Sequence, residues 1–452
     1  MNPSELPSPP GPTYRGFYRR SVGSLPDFLG DKLAFFTKVW KDHGDIATLR
    51  LGKYEMILLS HPDQVRRPLL ENASNYDKQT PGYQQVAFVL GNAVFTNDGE
   101  DWKTSRKVFR PAFTQDQIRG FTQLMLTTAE RLTDRWDQPV QIVEISTEMT
   151  RITFEIMGEA LLGSDIQDHV DAIGSSFPPM LEALNARATQ RLPLPGWFPT
   201  RTNRTLNRAL GDLHRVVDEV VRQRQQLAAN TNDFRDMVSY LLEFRTEDGQ
   251  PLSVERVRNE ILTIMLAGHE TTGVGLVWSL YFLSQHPEAM EKLYAEVDAL
   301  EGPLRLEDLD RLPYAKGVFY EALRLHPPAW AFSRRALEED QIGPYRIKKN
   351  AVMIIAPYFV HRNPKVWEDP EEFRPERFLP NAEKKDRFAF LAFGAGPRAC
   401  IGAQFATNEA VIVLAAFVRK FRWKFVSPTP IKPTTSFSFR PEGTPMIELT
   451  RR

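Results

Sequence analysis

Residues 253–286 carry the pattern that most limits how this chain can fold. Ser253 is a good helix cap, Glu255 lies in the first turn, and a helical, mostly apolar pattern runs to His286, where Pro287 stops it. About 33 residues at 1.5 Å rise give a rod of ~50 Å, able to cross a whole domain, so the remaining elements must be built around it. Its middle reads Ile264-Met265-Leu266-Ala267-Gly268-His269-Glu270-Thr271-Thr272-Gly273, polar where the rest is apolar and weakened by two glycines. A polar stripe on a helix ordinarily faces solvent. Apolar residues flank this one on every side, which sets that reading against one in which the polar groups work inside the protein.

Other elements follow from periodicity. Residues 45–60 alternate apolar and polar side chains around Gly52-Lys53, the pattern of a β-hairpin. Ile145, Met149, Ile152, Ile156 and Ala160 recur at three-to-four spacing and mark an amphipathic helix. After residue 327 the chain becomes rich in proline and turns, with short strands expected at Tyr345–Ile347 and Ala351–Ala356, and another helix is expected after Cys400. The fold class is therefore mainly α with small β-sheets near both ends, an α+β chain. No repeat or linker divides it, so residues 1–28 are expected as a proline-rich lead-in and 29–452 as one domain.

Composition removes several functions. The chain has 452 residues with 57 Lys plus Arg against 57 Asp plus Glu, a balance unlike the basic excess of a nucleic-acid binder. Hydrophobic residues at 42% suffice for a large core. A single cysteine, Cys400, excludes an internal disulfide and any Cys-Cys zinc site. Residues 1–12 hold five prolines and no apolar run, and the most apolar uninterrupted stretch, Ala410–Val418, is nine residues, against roughly 20 for a bilayer span. These features predict a soluble, cytoplasmic protein with no transmembrane segment.

Two motifs fail on inspection. His269-Glu270 begins a zinc-protease pattern, but Gly273 stands where the second histidine belongs. Gly394-Ala395-Gly396-Pro397-Arg398-Ala399 fits a dinucleotide loop, yet about twenty residues on, where that site needs an acid, the sequence reads Arg419-Lys420-Phe421-Arg422. What survives is the setting of Cys400. Two glycines and a proline force a tight loop, Gly402 permits close backbone approach, and a helix starting just beyond would lower the thiol's pKa. With no second cysteine and no histidine cluster, haem iron suits such a thiolate better than zinc.

Phe393-Gly394-Ala395-Gly396-Pro397-Arg398-Ala399-Cys400-Ile401-Gly402 resembles the cysteine-ligand signature of the cytochrome P-450 family, F-x-x-G-x-R-x-C-x-G. Supporting motifs occur in the family's order: Trp102-Lys103-Thr104-Ser105-Arg106 (W-x-x-x-R), Ala267-Gly268-His269-Glu270-Thr271-Thr272 (the oxygen-binding bend), Glu321-Ala322-Leu323-Arg324 (E-x-x-R) and Pro375-Glu376-Arg377-Phe378. E-x-x-R alone is an ordinary helix pair; the cysteine loop is highly specific. The resemblance spans residue 30 to the C-terminus.

It implies the family's fold, a long central helix over a haem b, and a monooxygenase that places one atom of dioxygen into a hydrophobic substrate. By similarity Cys400 is the metal ligand, and Trp102, Arg106, Ala267, Arg335, Phe393, Arg398 and Gly402 hold the cofactor, with Arg334 a rival to its neighbour for the propionate contact. Glu321, Arg324 and Arg377 correspond to the family's structural ion-pair triad. Thr271 and Glu270 would organise the water relay that supplies two protons per oxygen cleaved. A helix bend at Ala267-Gly268 would make room for dioxygen.

Electrons are expected from NADPH through a separate reductase and a ferredoxin or flavodoxin, which Lys103, Lys107 and Arg110 would steer. The expected pocket, at 82–95, 173–200, Ala267, Thr271, Ala329–Ser333 and Ser436–Phe439, is apolar and aromatic, which favours a carotenoid, terpenoid or fatty acid. The segment Leu192–Pro199 is read as a rigid loop or as a peripheral membrane contact, and the protein as a monomer. An oxygen-independent isomerase and a haem sensor are the competing readings. The Glu270-Thr271 pair argues against the first; absence of turnover would be the mark of the second.

Overall fold

The computed structural model describes residues 6–15, 17–163, 167–188, 195–227, 236–427 and 430–452. Ser253 caps the long helix as its position requires: Oγ accepts from Arg256 N at 3.2 Å, and the helix runs Val254–Gln285 before ending at His286. By length and apolarity it would qualify to cross a bilayer, but 83% of its most apolar window is buried within the protein. It is a core helix.

The chain forms two compact units. One gathers residues up to Gln84 with Leu323–Glu372 and Glu383–Cys400; the other gathers Gln85–Ala322, Phe373–Ala382 and Ile401–Arg452. Each is assembled from segments distant in sequence, which is why no linker marks a boundary between them.

In the helical unit the long helix packs chiefly against Ile145–Leu162, and also against Arg201–Leu227 and Ala403–Lys420. The Ile145–Leu162 helix matches its apolar periodicity and is capped by the Glu144 carboxylate, which accepts from Ser146 N and Thr147 N. Gly268 has a packing reason: a Cβ there would stand 2.1 Å from the Met157 methyl. Absence of a side chain lets the two helices approach at the polar segment. A three-stranded antiparallel sheet, Val140–Glu144, Met446–Arg451 and Phe421–Phe425, closes this unit, with Ile447 opposite both Val143 and Phe425.

The second unit is built on a five-stranded sheet. Its order is Ile46–Leu51, Tyr54–Leu59, Val352–Ile355, Phe332–Ala336, Tyr76–Asp77, with only the second and third strands parallel. The expected hairpin is the first pair, turning at Gly52-Lys53. One face of the sheet joins Val65, Phe388 and Leu391 in a core. The described part of the proline-rich lead-in runs extended beside the sheet, Pro7 O and Pro10 O accepting from Arg346 N and Thr48 N at 2.9 and 2.7 Å. It then continues into two short helices, Phe17–Val22 and Leu25–Leu29.

The motifs Glu321-x-x-Arg324 and Pro375–Phe378 hold backbone. In the helical unit the fully buried Glu321 accepts from Arg374 N at 2.9 Å and forms an ion pair with Arg377, whose Nε lies 3.3 Å away. In the sheet unit Arg324, also fully buried, donates to the carbonyls of His361, Pro370 and Glu372 at 2.7–2.9 Å.

Candidate functional site

The cysteine loop begins at an anchored residue. Leu391 N donates to His361 Nε2 at 2.7 Å, while the other ring nitrogen of His361 lies 3.0 Å from Arg324 O. That assignment makes Nδ1 the protonated nitrogen. Burial, reinforced by the positive charges of Arg324 and Arg362, pushes the imidazole down to about 3, so it is neutral and can accept. From Leu391 the chain turns through Gly394 and Gly396, both left-handed at φ 66° and 73°. At Gly396 a Cβ would lie 1.8 Å from Leu69 O, so only glycine fits there. A 3-10 turn at Gly396–Arg398 follows, and Cys400 N closes the loop on Phe393 O at 2.8 Å. Cys400 is exposed, unusual for a residue type that most often packs in cores. Phe393 and Arg398 are partly exposed on the same loop. The helix Ala403–Lys420 starts three residues after the thiol, with Gly402 as its cap.

The two adjacent arginines separate by strand alternation. Arg335 faces Asp77, its directly opposed partner on the neighbouring strand, and binds both carboxylate oxygens through Nε at 3.1 Å and Nη2 at 2.5 Å. It borders a surface cavity of about 410 Å³ that Lys53, Glu55, Lys348 and Asn350 also line. Arg334 is the buried member, 5% exposed, lying over the rings of Phe332 and Tyr83. Lys78, 6% exposed, lies over the same Tyr83 ring at 5.1 Å.

In the helical unit the polar segment of the long helix is not a solvent stripe. His269 and Glu270 are 2% and 7% exposed, and the accessible positions are Ala267, Gly268 and Thr271. The helix continues unbroken through the expected bend; Thr271 Oγ1 instead donates to Ala267 O at 2.7 Å, and Thr272 Oγ1 to Gly268 O at 3.1 Å. Glu270 turns inward, where Ser438 Oγ donates to its Oε1 at 2.6 Å. His269 lies against Phe154 and Phe177, its Nδ1 2.6 Å from Met265 O. Burial lowers its pKa. The accessible face therefore presents two small residues and one hydroxyl, without charge.

Trp102 and Arg106 sit one turn apart, both partly exposed, on the Gly99–Phe109 helix. Between them Ser105 is buried and donates to Glu260 Oε1 at 2.5 Å. Glu260 of the long helix, 1% exposed, also accepts from Val94 N at 2.8 Å and Arg256 Nε at 3.1 Å, while Arg256 reaches Asp101 O at 3.0 Å. Burial raises the Glu260 pKa, opposed by those donors. This clamp fixes the Trp102 helix against the long helix. Lys103, Lys107 and Arg110 are exposed on the same segment.

The family model for cytochrome P450 matches residues 9–447 of the chain. The protein belongs to the cytochrome P450 family. It is 33% identical over 401 residues to cyclooctatin synthase of Streptomyces melanosporofaciens, covering 88% of this chain and 86% of that one. It is 31% identical over 420 residues to the same organism's cyclooctat-9-en-7-ol 5-monooxygenase, covering 90% of each. A solved structure of a cyanobacterial P450 with retinoic acid bound superposes with a TM-score of 0.88 at 25% identity, covering 99% of this chain and 100% of the other.

This P450 is accordingly a haem-iron monooxygenase, and its donor set fits that cofactor. Among the described residues no group of three His, Cys, Asp or Glu side chains could hold a metal unaided. A lone accessible sulfur suits an iron whose other ligands come from a macrocycle. Buried Arg334 and Lys78 beside one tyrosine suit an anionic carboxylate.

Of the side chains expected to line the P450's pocket, Val89, Leu90, Phe177, Met180, Leu181 and Trp330 are buried in core packing, Trp330 against Phe36. Tyr83, Val86, Phe88, Phe95, Phe332 and Phe437 keep accessible surface. Residues 189–194, including Leu192-Pro193-Leu194, lie outside the described residues. From Pro195 the loop is tied by Asn203 Nδ2 to Pro195 O and Phe198 O, both at 2.9 Å, and it carries Trp197 at 80% exposure. Glu260 and His361 carried no sequence signal, because each acts through partners remote in the chain, and Ser438 fell within the expected pocket segment Ser436–Phe439 without a role of its own.

Proposed function

We propose that this P450 hydroxylates a large hydrophobic terpenoid, carotenoids included, using haem b. The observation that carries the substrate reading is the uncharged accessible face of the long helix, Ala267, Gly268 and Thr271, with the neighbouring ionisable side chains turned inward. Such a face favours an apolar molecule over a charged one. Similarity to two Streptomyces enzymes named for cyclooctatin chemistry and to a retinoic acid-bound structure supports the same class over a fatty acid.

When bound, haem with a Cys400 thiolate would supply the activation of dioxygen, one atom going to substrate and the other to water. Cys400 is set for this by the glycine-turned loop and its bond to Phe393 O. Arg398, Arg106 and Trp102 would meet the propionates, and Arg334 with Lys78 takes the part first expected of Arg335, which Asp77 already holds. Thr271 and Glu270 would move protons from water toward the accessible face of the helix. Electrons from NADPH would arrive through a reductase and a ferredoxin or flavodoxin docking near Lys103, Lys107 and Arg110. The protein would act in the cytoplasm, with Trp197 as the side chain that meets a membrane interface when lipophilic substrate is collected.

A spin-state titration tests the substrate class. Cyclic terpenoids and carotenoids should shift the ferric haem from low to high spin at lower concentration than fatty acids. A panel in which only fatty acids respond, or none does, would reject it.

A further inference from the structure

The acid of the relay is held by a residue outside the family motifs. Ser438 Oγ donates to Glu270 Oε1 at 2.6 Å, and the two side chains are 2% and 7% exposed. Ser438 lies between two short paired strands, Pro433–Thr435 and Phe439–Pro441. That turn is pinned to the long helix at a second point, where the indole of Trp278 donates to Phe439 O at 2.7 Å. Trp278 itself is fully buried, and Ser436 Oγ donates to Ser438 O at 2.9 Å, bracing the turn from within. The serine is therefore a fixed donor, not a surface hydroxyl that happens to face an acid.

We infer that Ser438 is a positioning residue for proton delivery: it fixes the rotamer of Glu270 so that one carboxylate oxygen is occupied and the other is left to the water relay shared with Thr271. The inference rests on the relay reading above. Ser438 supplies no proton. Two protons per turnover come from bulk water and leave in the water formed from the second oxygen atom, and Glu270 returns to its starting state. Thr271 Oγ1 already donates to Ala267 O, so each relay member begins with one internal hydrogen bond and has limited freedom to find the other. Removing the donor at 438 releases one of these constraints in a buried place where water cannot replace it.

The holoenzyme is compared as wild type, Ser438→Ala, Ser438→Thr and Glu270→Gln, each confirmed as thiolate-ligated by its reduced carbon monoxide spectrum. Two readouts are taken. One is the fraction of NADPH electrons lost to hydrogen peroxide, and its pH dependence, with a substrate that gives a spin shift. The other needs no turnover: the infrared carboxyl band that disappears in Glu270→Gln. Loss of one hydrogen bond of ordinary strength should raise the peroxide fraction about fivefold in Ser438→Ala and shift the infrared band, and Ser438→Thr should restore both. Wild-type coupling and an unmoved band in Ser438→Ala, alongside uncoupling in Glu270→Gln, would overturn the inference and leave the relay standing. Unchanged coupling in Glu270→Gln as well would remove the relay reading itself. Failure of the threonine variant to restore coupling would also count against the inference.

Discussion

Arg334 and Arg335 show how much a single position can matter. The resemblance points to Arg335 for the propionate contact with Arg334 as its rival, and the sequence does not show the deciding partner, Asp77, which stands more than 250 residues away in the chain. In the sheet the choice follows from pleat: the side chains alternate, and Asp77 opposes Arg335 directly. Arg334→Ala should therefore speed haem transfer to an acceptor apoprotein on the order of tenfold, the scale of one charge-assisted hydrogen bond. Arg335→Ala should leave haem retention unchanged and cost about 1 kcal/mol in denaturant unfolding, as for a partly exposed ion pair. The reverse pattern would restore Arg335 to the cofactor. Thr271→Ala belongs to the same scale. Among the described residues its side chain bonds only to Ala267 O within the helix, so its removal should leave stability near wild type while product per NADPH falls and peroxide rises.

Elements were far more legible than the contacts that aim them. The long helix, its cap at Ser253, the 145–162 helix and the 46–59 hairpin all follow from periodicity and punctuation, signals carried by neighbours a few residues apart. By propensity Gly268 weakens the helix, whereas in the fold it admits Met157, a packing fact that a one-dimensional pattern does not contain. The Glu260 clamp is of the same kind. Glu260→Ala should strip Ser105, Val94 N and Arg256 of their shared acceptor and cost about 3 kcal/mol, the scale of breaking a buried ion pair, with haem retention falling because Trp102 and Arg106 ride on the released helix.

The cysteine loop responds to acid through its own anchor. His361 titrates near 6.5 unfolded but at about 3 when folded, so between those values the unfolded chain binds a proton that the native state refuses. Stability from this group is complete above about pH 6.5 and is lost as pH falls toward 3, by up to about 1.4 kcal/mol per pH unit. Unfolding curves between pH 7 and 4 should be flatter for His361→Gln, which keeps an acceptor for Leu391 N without the titration.

At the scale of the whole molecule the charges cancel, 57 against 57, so no net field draws a redox partner in. On the proposed reading, steering would come from a local patch. Lys103, Lys107 and Arg110 are exposed on the helix and turn that also carry Trp102 and Arg106, and the pair Lys103–Glu100 at 2.6 Å is too exposed to neutralise the patch strongly. An acidic ferredoxin would approach such a patch at a rate set by ionic strength, since the screening length shrinks from ~30 Å at 0.01 M to ~10 Å at 0.1 M. Stopped-flow reduction should slow about tenfold across that range, and Lys107→Glu with Arg110→Glu should lower the low-salt rate by a similar factor and flatten its salt dependence. Substrate-induced spin shift should not change, because neither side chain belongs to the cofactor set. A charge-reversed protein reduced at the wild-type rate, with the wild-type salt slope, would place the electron entry surface elsewhere.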